Sequence, residues 1–209
     1  MTAKKLLALV GWLYCVASFG QAKGDLELGI GIGTSRSSVN YQDSRLNPQT
    51  ANSINFGGSA DYNFANRWSV KAKIVYDTKG WNDGTLFFRG GQLFNADVDL
   101  HYLTVPIMLS WHFGGQRNWY INFGSYAGFL VAAGEENFDA DIKEAFKDTD
   151  IGLTLGIGAK IPVSRFLKIY IEYDFQTGFG NLYKDNIVSV SKAYSTRNAF
   201  NVGVNFLVL

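Results

Sequence analysis

Cysteine, proline and net charge are all scarce in this chain, and each shortage narrows what it can be. One cysteine among 209 residues leaves no disulfide framework. Three prolines leave room for long unbroken strands. With 19 basic residues against 18 acidic ones, the formal charge of +1 gives no nucleic-acid signal. Beyond residue 20 no apolar run approaches the roughly 20 residues of a spanning helix. What is plentiful is glycine, at 23 residues, and aromatics, at 15%. That balance suits a sheet protein.

Residues 1–20 read as a secretory signal. Lys4 and Lys5 form the basic start, Leu6 to Val16 the apolar core, and Ser18-Phe19-Gly20 a small-x-small cleavage site before Gln21. The apolar run is too short for a membrane anchor. Cys15 does not make a lipoprotein, because Tyr14 stands where a small residue is required. Cleavage leaves 17 basic and 18 acidic residues, no cysteine, and one domain over 21–209.

The most informative stretch is Tyr102 to Phe113, YLTVPIMLSWHF. Leu103, Val105, Ile107, Leu109, Trp111 and Phe113 alternate with Tyr102, Thr104, Pro106, Met108, Ser110 and His112. Period two gives a strand with one apolar and one mixed face. Its length suits the roughly 9–11 residues of a tilted membrane-crossing strand. Such a strand needs every backbone group paired, hence a closed barrel. Pro106 predicts a bulge mid-strand.

Seven further stretches alternate in the same way: Leu26 to Gly33, Ile54 to Phe64, Trp68 to Tyr76, Trp119 to Phe129, Ile151 to Ile161, Leu167 to Gln176 and Phe200 to Val208. The glycine-rich GIGIG of the first resembles a nucleotide loop only superficially, since no helix pattern follows; no cofactor is expected. The connections alternate long and short. Residues 34–53, 78–95, 132–149 and 178–197 are the long ones; Ala65-Asn66-Arg67, Gly114 to Arg117 and Pro162 to Arg165 are the short turns. Short periplasmic turns, long extracellular loops and an even strand number are the mark of an outer-membrane barrel. The expected fold is all-β: an eight-stranded antiparallel up-and-down transmembrane β-barrel. In the acidic third loop, Asp139 and Asp141 do not make a calcium loop, because Glu144 occupies the position that requires glycine.

HYLTVPIMLSW resembles the "YLEIPLLLK" strand of the PorT-like outer-membrane β-barrel family of Bacteroidetes. YDTKGW (Tyr76 to Trp81), NFGSYAGFL (Asn122 to Leu130) and YDFQTGFGNL (Tyr173 to Leu182) resemble that family's other recurring stretches, in the same order. The resemblance implies a small barrel of the OmpX and OmpA type in the outer membrane of a Gram-negative bacterium. It implies no single activity.

The leading reading is a non-enzymatic structural or interaction role, with outer-membrane lipid, lipopolysaccharide included, around the barrel. A protein or surface ligand would bind at the loops 34–53, 78–95, 132–149 and 178–197. The lumen is expected to be filled by a polar network of Asp61, Lys71, Lys73, Lys160, Lys168, Glu172 and Asp174. The turn at Ala65 to Arg67 sets Asp61 opposite Lys71 as an inward ion pair, with Glu172 and Asp174 offered to Lys73. Trp68, Trp111, Phe113 and Trp119 are expected at the lipid interface. A lipid A-modifying enzyme would need a histidine with a serine or acid partner near the outer rim. His112 lies at the wrong end; His101 lies near the outer end, with Ser35, Ser38 and Ser191 within loop reach. A porin-like pore is disfavoured because eight strands leave an interior that side chains fill. A lipocalin-like barrel, whose apolar face points inward and whose outside is polar, is disfavoured, because the mixed faces here carry many charges to bury in a ligand cavity and the apolar faces are too rich in aromatics to leave in water.

Overall fold

Period-two alternation becomes eight long strands: β1 (Leu26–Tyr41), β2 (Gln49–Ala65), β3 (Trp68–Phe87), β4 (Leu93–Phe113), β5 (Trp119–Glu135), β6 (Thr149–Pro162), β7 (Leu167–Gly178) and β8 (Ala193–Leu207). The computed structural model describes residues 23–41, 48–87, 93–135, 140–184 and 192–208. The signal segment 1–20 and Ser191 lie outside them. Each strand pairs antiparallel with its neighbours in sequence. The ring closes where β1 meets β8, from Glu27 opposite Leu207 to Tyr41 opposite Ala193. A two-residue strand, Ala140–Asp141, adds to the end of β5, followed by a 3-10 turn at Lys143–Ala145.

Alternation decides which side of the wall each residue meets. On β6, Ile151, Leu153, Leu155, Ile157 and Ile161 are exposed, whereas Asp150, Thr154 and Lys160 are buried. This is the reverse of a water-soluble barrel: apolar side chains stand outside, where lipid solvates them, and charges stand inside. Among the described residues no helix is long and apolar enough to cross a membrane. The strands do the crossing.

The strands run well past the bounds read from sequence. β1 continues to Tyr41, β3 to Phe87 and β5 to Glu135, while β2 begins at Gln49, β4 at Leu93 and β8 at Ala193. The expected loops 34–53, 78–95, 132–149 and 178–197 contract to 42–48, 88–92, 136–148 and 179–192. The outward apolar face does stop: after Ile32, β1 presents Thr34, Arg36, Ser38 and Asn40 on that side. Backbone pairing needs no lipid, however, and the inward face goes on packing through Ser35, Ser37 and Val39. The barrel therefore continues past its outward apolar band at the end with the longer connections.

No bulge forms at Pro106. It stays in register opposite Tyr126 on β5. Toward β3 the ladder is in register at Ala72–Ile107 and Val75–Thr104, and lacks only the rungs between. The missing N–H costs a local gap on one side, because β5 holds the strand straight on the other. The register shifts of the two β4 ladders fall instead between Trp81 and Gly84 on β3, and at His101/Tyr102 against β5.

Candidate functional site

Because inward residues from eight strands converge on one narrow axis, the lumen is the first place to look for chemistry. At the end with the short turns, Lys160 Nζ on β6 donates to Glu27 Oε2 on β1 at 2.6 Å and to Asp61 Oδ2 on β2 at 2.7 Å. Lys168 Nζ donates to Glu27 Oε1 at 2.5 Å, and the Asn205 amide to Oε2 at 3.0 Å. In the middle layer Glu172 receives Lys71 at 2.5 Å, Asn122 at 2.8 Å, and Lys73. Lys73 also donates to Asp174 Oδ2 at 2.9 Å, which accepts from Asn201 at 3.0 Å. Nearer the outside, Asp150 Oδ2 accepts from Lys79 at 3.0 Å, Tyr126 at 3.0 Å and Ser195 at 2.7 Å. Arg197 stands 2.8 Å from Asp77, which also accepts from Thr104 at 2.9 Å.

Asp61, Lys71, Lys73, Lys160, Lys168, Glu172 and Asp174 are thus all inward and buried. One expected contact is corrected. Asp61 and Lys71 do stand opposite each other in the β2–β3 ladder, but Asp61 ends on Lys160 and Lys71 on Glu172. Side chains of adjacent strands leave the wall side by side toward the axis, so their charged ends meet partners from the facing wall. Glu27, Asp77, Lys79, Asp150 and Arg197 are network members that the sequence reading passed over. The signal was present: Lys71, Lys73, Asp77 and Lys79 keep one period-two face of β3, which was cut short at Tyr76.

Among the described residues the buried charges balance, six acids (Glu27, Asp61, Asp77, Asp150, Glu172, Asp174) against six bases (Lys71, Lys73, Lys79, Lys160, Lys168, Arg197). Isolated buried charges cost several kcal/mol each, so such a lumen is tolerable only when paired throughout. A cavity of about 20 Å³ between Asn55, Lys73, Asp174, Arg197 and Asn201 has room for about one water molecule.

The outer end of the lumen is closed by apolar packing instead. Ile142 and Phe146 from the connection after β5, and Leu182 and Tyr183 from the one after β7, are buried against Val39, Trp81, Val98, Leu100, Tyr102 and Leu130. Phe146 lies edge-on to Trp81 with ring centroids 6.0 Å apart and stacks on Tyr183 at 5.1 Å. Backbone bonds tie the two connections together: Lys147 N–H donates to Leu182 O at 2.8 Å, and Lys184 N–H to Ala145 O at 3.0 Å. The Tyr41 and Tyr183 hydroxyls are 3.2 Å apart, and burial raises both phenols above the ordinary tyrosine range.

His112 is inward and buried, with a ring nitrogen 2.9 Å from Ser69 Oγ. His101 has Thr78 Oγ1 at 3.0 Å from Nδ1 and stacks on Tyr76 at 6.0 Å. Ser35 is turned into the lumen and bonded to Ser53 at 2.8 Å. Outside the wall, at the end with the short turns, Trp111 and Phe113 stack at 5.3 Å and Phe113 and Trp119 at 6.5 Å, while Trp68 meets Phe123 edge-on at 6.4 Å.

Residues 19–184 match the model of a family described as an outer membrane protein beta-barrel domain. No curated protein sequence matches the chain. Among solved structures, the outer membrane protein OprG from Pseudomonas aeruginosa is similar with a TM-score of 0.56 at 14% identity, over 90% of this chain and 98% of OprG. Neisserial surface protein A is similar with a TM-score of 0.51 at 14% identity, over 87% of this chain and 97% of its own. At such identity the likeness is one of fold.

Proposed function

The chain belongs to the outer membrane protein beta-barrel domain family, and on that premise we propose that it is a closed, non-conducting barrel that works without catalysis, as a structural or interaction protein. In this reading residues 1–20 direct export and are removed. The short turns lie in the periplasm, and the connections 42–48, 88–92, 136–148 and 179–192 meet outer-leaflet lipopolysaccharide or a surface ligand. The PorT-like stretches narrow the assignment within the family. The observation that carries the reading is the double closure of the lumen: a balanced ionic network below and the Phe146–Tyr183 cap above. A non-catalytic role is supported by the surroundings of the two histidines: His101 is bonded to Thr78 rather than to a serine or an acid, and His112, although bonded to Ser69, is buried at the end with the short turns, away from the outer rim.

Conductance tests the reading directly. Purified protein in planar bilayers should give no steady current, since solutes would have to displace buried ion pairs. A stable open level of large conductance would establish the pore reading in its place.

A further inference from the structure

Charge is sorted along the barrel axis. With the lumen neutral, the remaining charges fall at the two ends. The outer segments 34–53, 82–101, 131–149 and 179–196 carry eleven acids against seven bases. The opposite end carries Lys23, Arg67, Arg117 and Arg165 against Asp25. Each of the three short turns thus contributes one arginine and no acid. Lys23, Arg67 and Arg165 are exposed. Arg117 Nη1 donates to Asn66 O at 2.8 Å, which joins the β4–β5 turn to the β2–β3 turn. Arg165 lies 5.6 Å over the ring of Phe166, itself 61% exposed.

We propose that this rim binds the phosphate groups of anionic phospholipids in the inner leaflet. The aromatic band sets the depth: Trp111, Phe113 and Trp119 stack outside the wall at the same end, and such rings settle at the headgroup boundary. Arg117 lies between Phe113 and Trp119 in the sequence, Arg67 directly precedes Trp68 and Arg165 directly precedes Phe166, so turns that begin where the aromatic band ends carry their guanidinium groups to the plane of lipid phosphates. Arginine's planar fork suits a phosphate better than a lysine point charge would. The arginines are spread over three turns around the ring, which fits several lipids in an annulus and not one pocket for a soluble anion. The proposal rests on the outer-membrane reading for orientation, but concerns the turns and not the loops.

The test uses the folded, signal-free protein in phosphatidylcholine bilayers containing spin-labelled phosphatidylglycerol or spin-labelled phosphatidylcholine. Phosphatidylglycerol should associate on the order of 3- to 10-fold more strongly at low salt, and less so as salt rises. Arg67→Gln/Arg117→Gln/Arg165→Gln should bring the ratio close to one, and the triple lysine variant should keep part of it. Should the triple glutamine variant fail to fold, Arg165→Gln alone should still lower the ratio. Equal association of the two lipids with the wild type overturns the proposal, as does an unchanged ratio in the glutamine variants. Displacement of the lipid by millimolar inorganic phosphate would mark a soluble-phosphate site and overturn it too. None of these outcomes bears on ligand capture by the outer connections, so the two readings fail separately.

Discussion

Lys160 joins strands that lie far apart in the chain, reaching Glu27 on β1 and Asp61 on β2 from β6. Both carboxylates depend on it, but unequally: Glu27 also has Lys168 at 2.5 Å. Lys160→Met should therefore cost about 3–5 kcal/mol, the usual penalty for leaving a buried charge without its partner. Urea unfolding in detergent measures it. A double-mutant cycle separates facing-wall pairing from ladder pairing. Asp61→Ala with Lys160→Met should show coupling of about 0.5–3 kcal/mol, whereas Asp61→Ala with Lys71→Met should be close to additive. The opposite ranking would restore the ion pair across the β2–β3 ladder. The same crowding explains the glycines of β1. A Cβ on Gly31 would lie 2.9 Å from the Val202 carbonyl oxygen and would run into the Tyr170 phenol. The GIGIG run leaves space for a tyrosine, not for a nucleotide.

Individual strands were legible wherever lipid and lumen impose opposite demands. Inward Lys71 beside outward Ala72 on β3, or inward Glu172 beside outward Ile171 on β7, declare the period plainly. Legibility ended with the lipid. Past Ile32 or Tyr76 both faces are polar or mixed, so strand and loop look alike in sequence although the backbone pairs on. The cap was not legible at all. Ile142, Phe146, Leu182 and Tyr183 follow no period, and the surrounding acids suggest a solvated loop. Their role appears only when the two connections meet through Phe146 opposite Tyr183. These two segments are tied to each other by the backbone bonds Lys147–Leu182 and Lys184–Ala145, whereas the strands below are held by continuous ladders. Phe146→Ala with Tyr183→Ala should raise hydrogen exchange and protease cutting within 140–148 and 179–184, and leave the barrel's unfolding midpoint nearly unchanged. The ionic network should still block current. Loss of the whole barrel in this variant would show instead that the cap is part of the folding core.

At the scale of the whole molecule, closure matters more than any single contact. Every one of the eight strands has two paired neighbours, and the last seam is among the longest, running from Glu27–Leu207 to Tyr41–Ala193. No strand edge faces lipid along the crossing, where an unpaired N–H or C=O would cost several kcal/mol. Partial opening is therefore penalised along the whole length of a seam, and the barrel should resist detergent until heat breaks it in one step. An unboiled sample on a gel should migrate as a compact species distinct from the boiled chain, and carbonate should not extract the protein from membranes. Identical migration before and after boiling, together with carbonate release, would contradict a closed integral barrel. Removing β8 sharpens the test. A chain ending at residue 192 keeps the short turns, the aromatic band and most of the ionic network, including Lys160, Glu27 and Asp61. It leaves β1 and β7 with open edges in lipid. If closure carries the stability, this truncated chain should lose the compact band entirely. If the lumen contacts carry it, a weakened compact band should remain at low temperature.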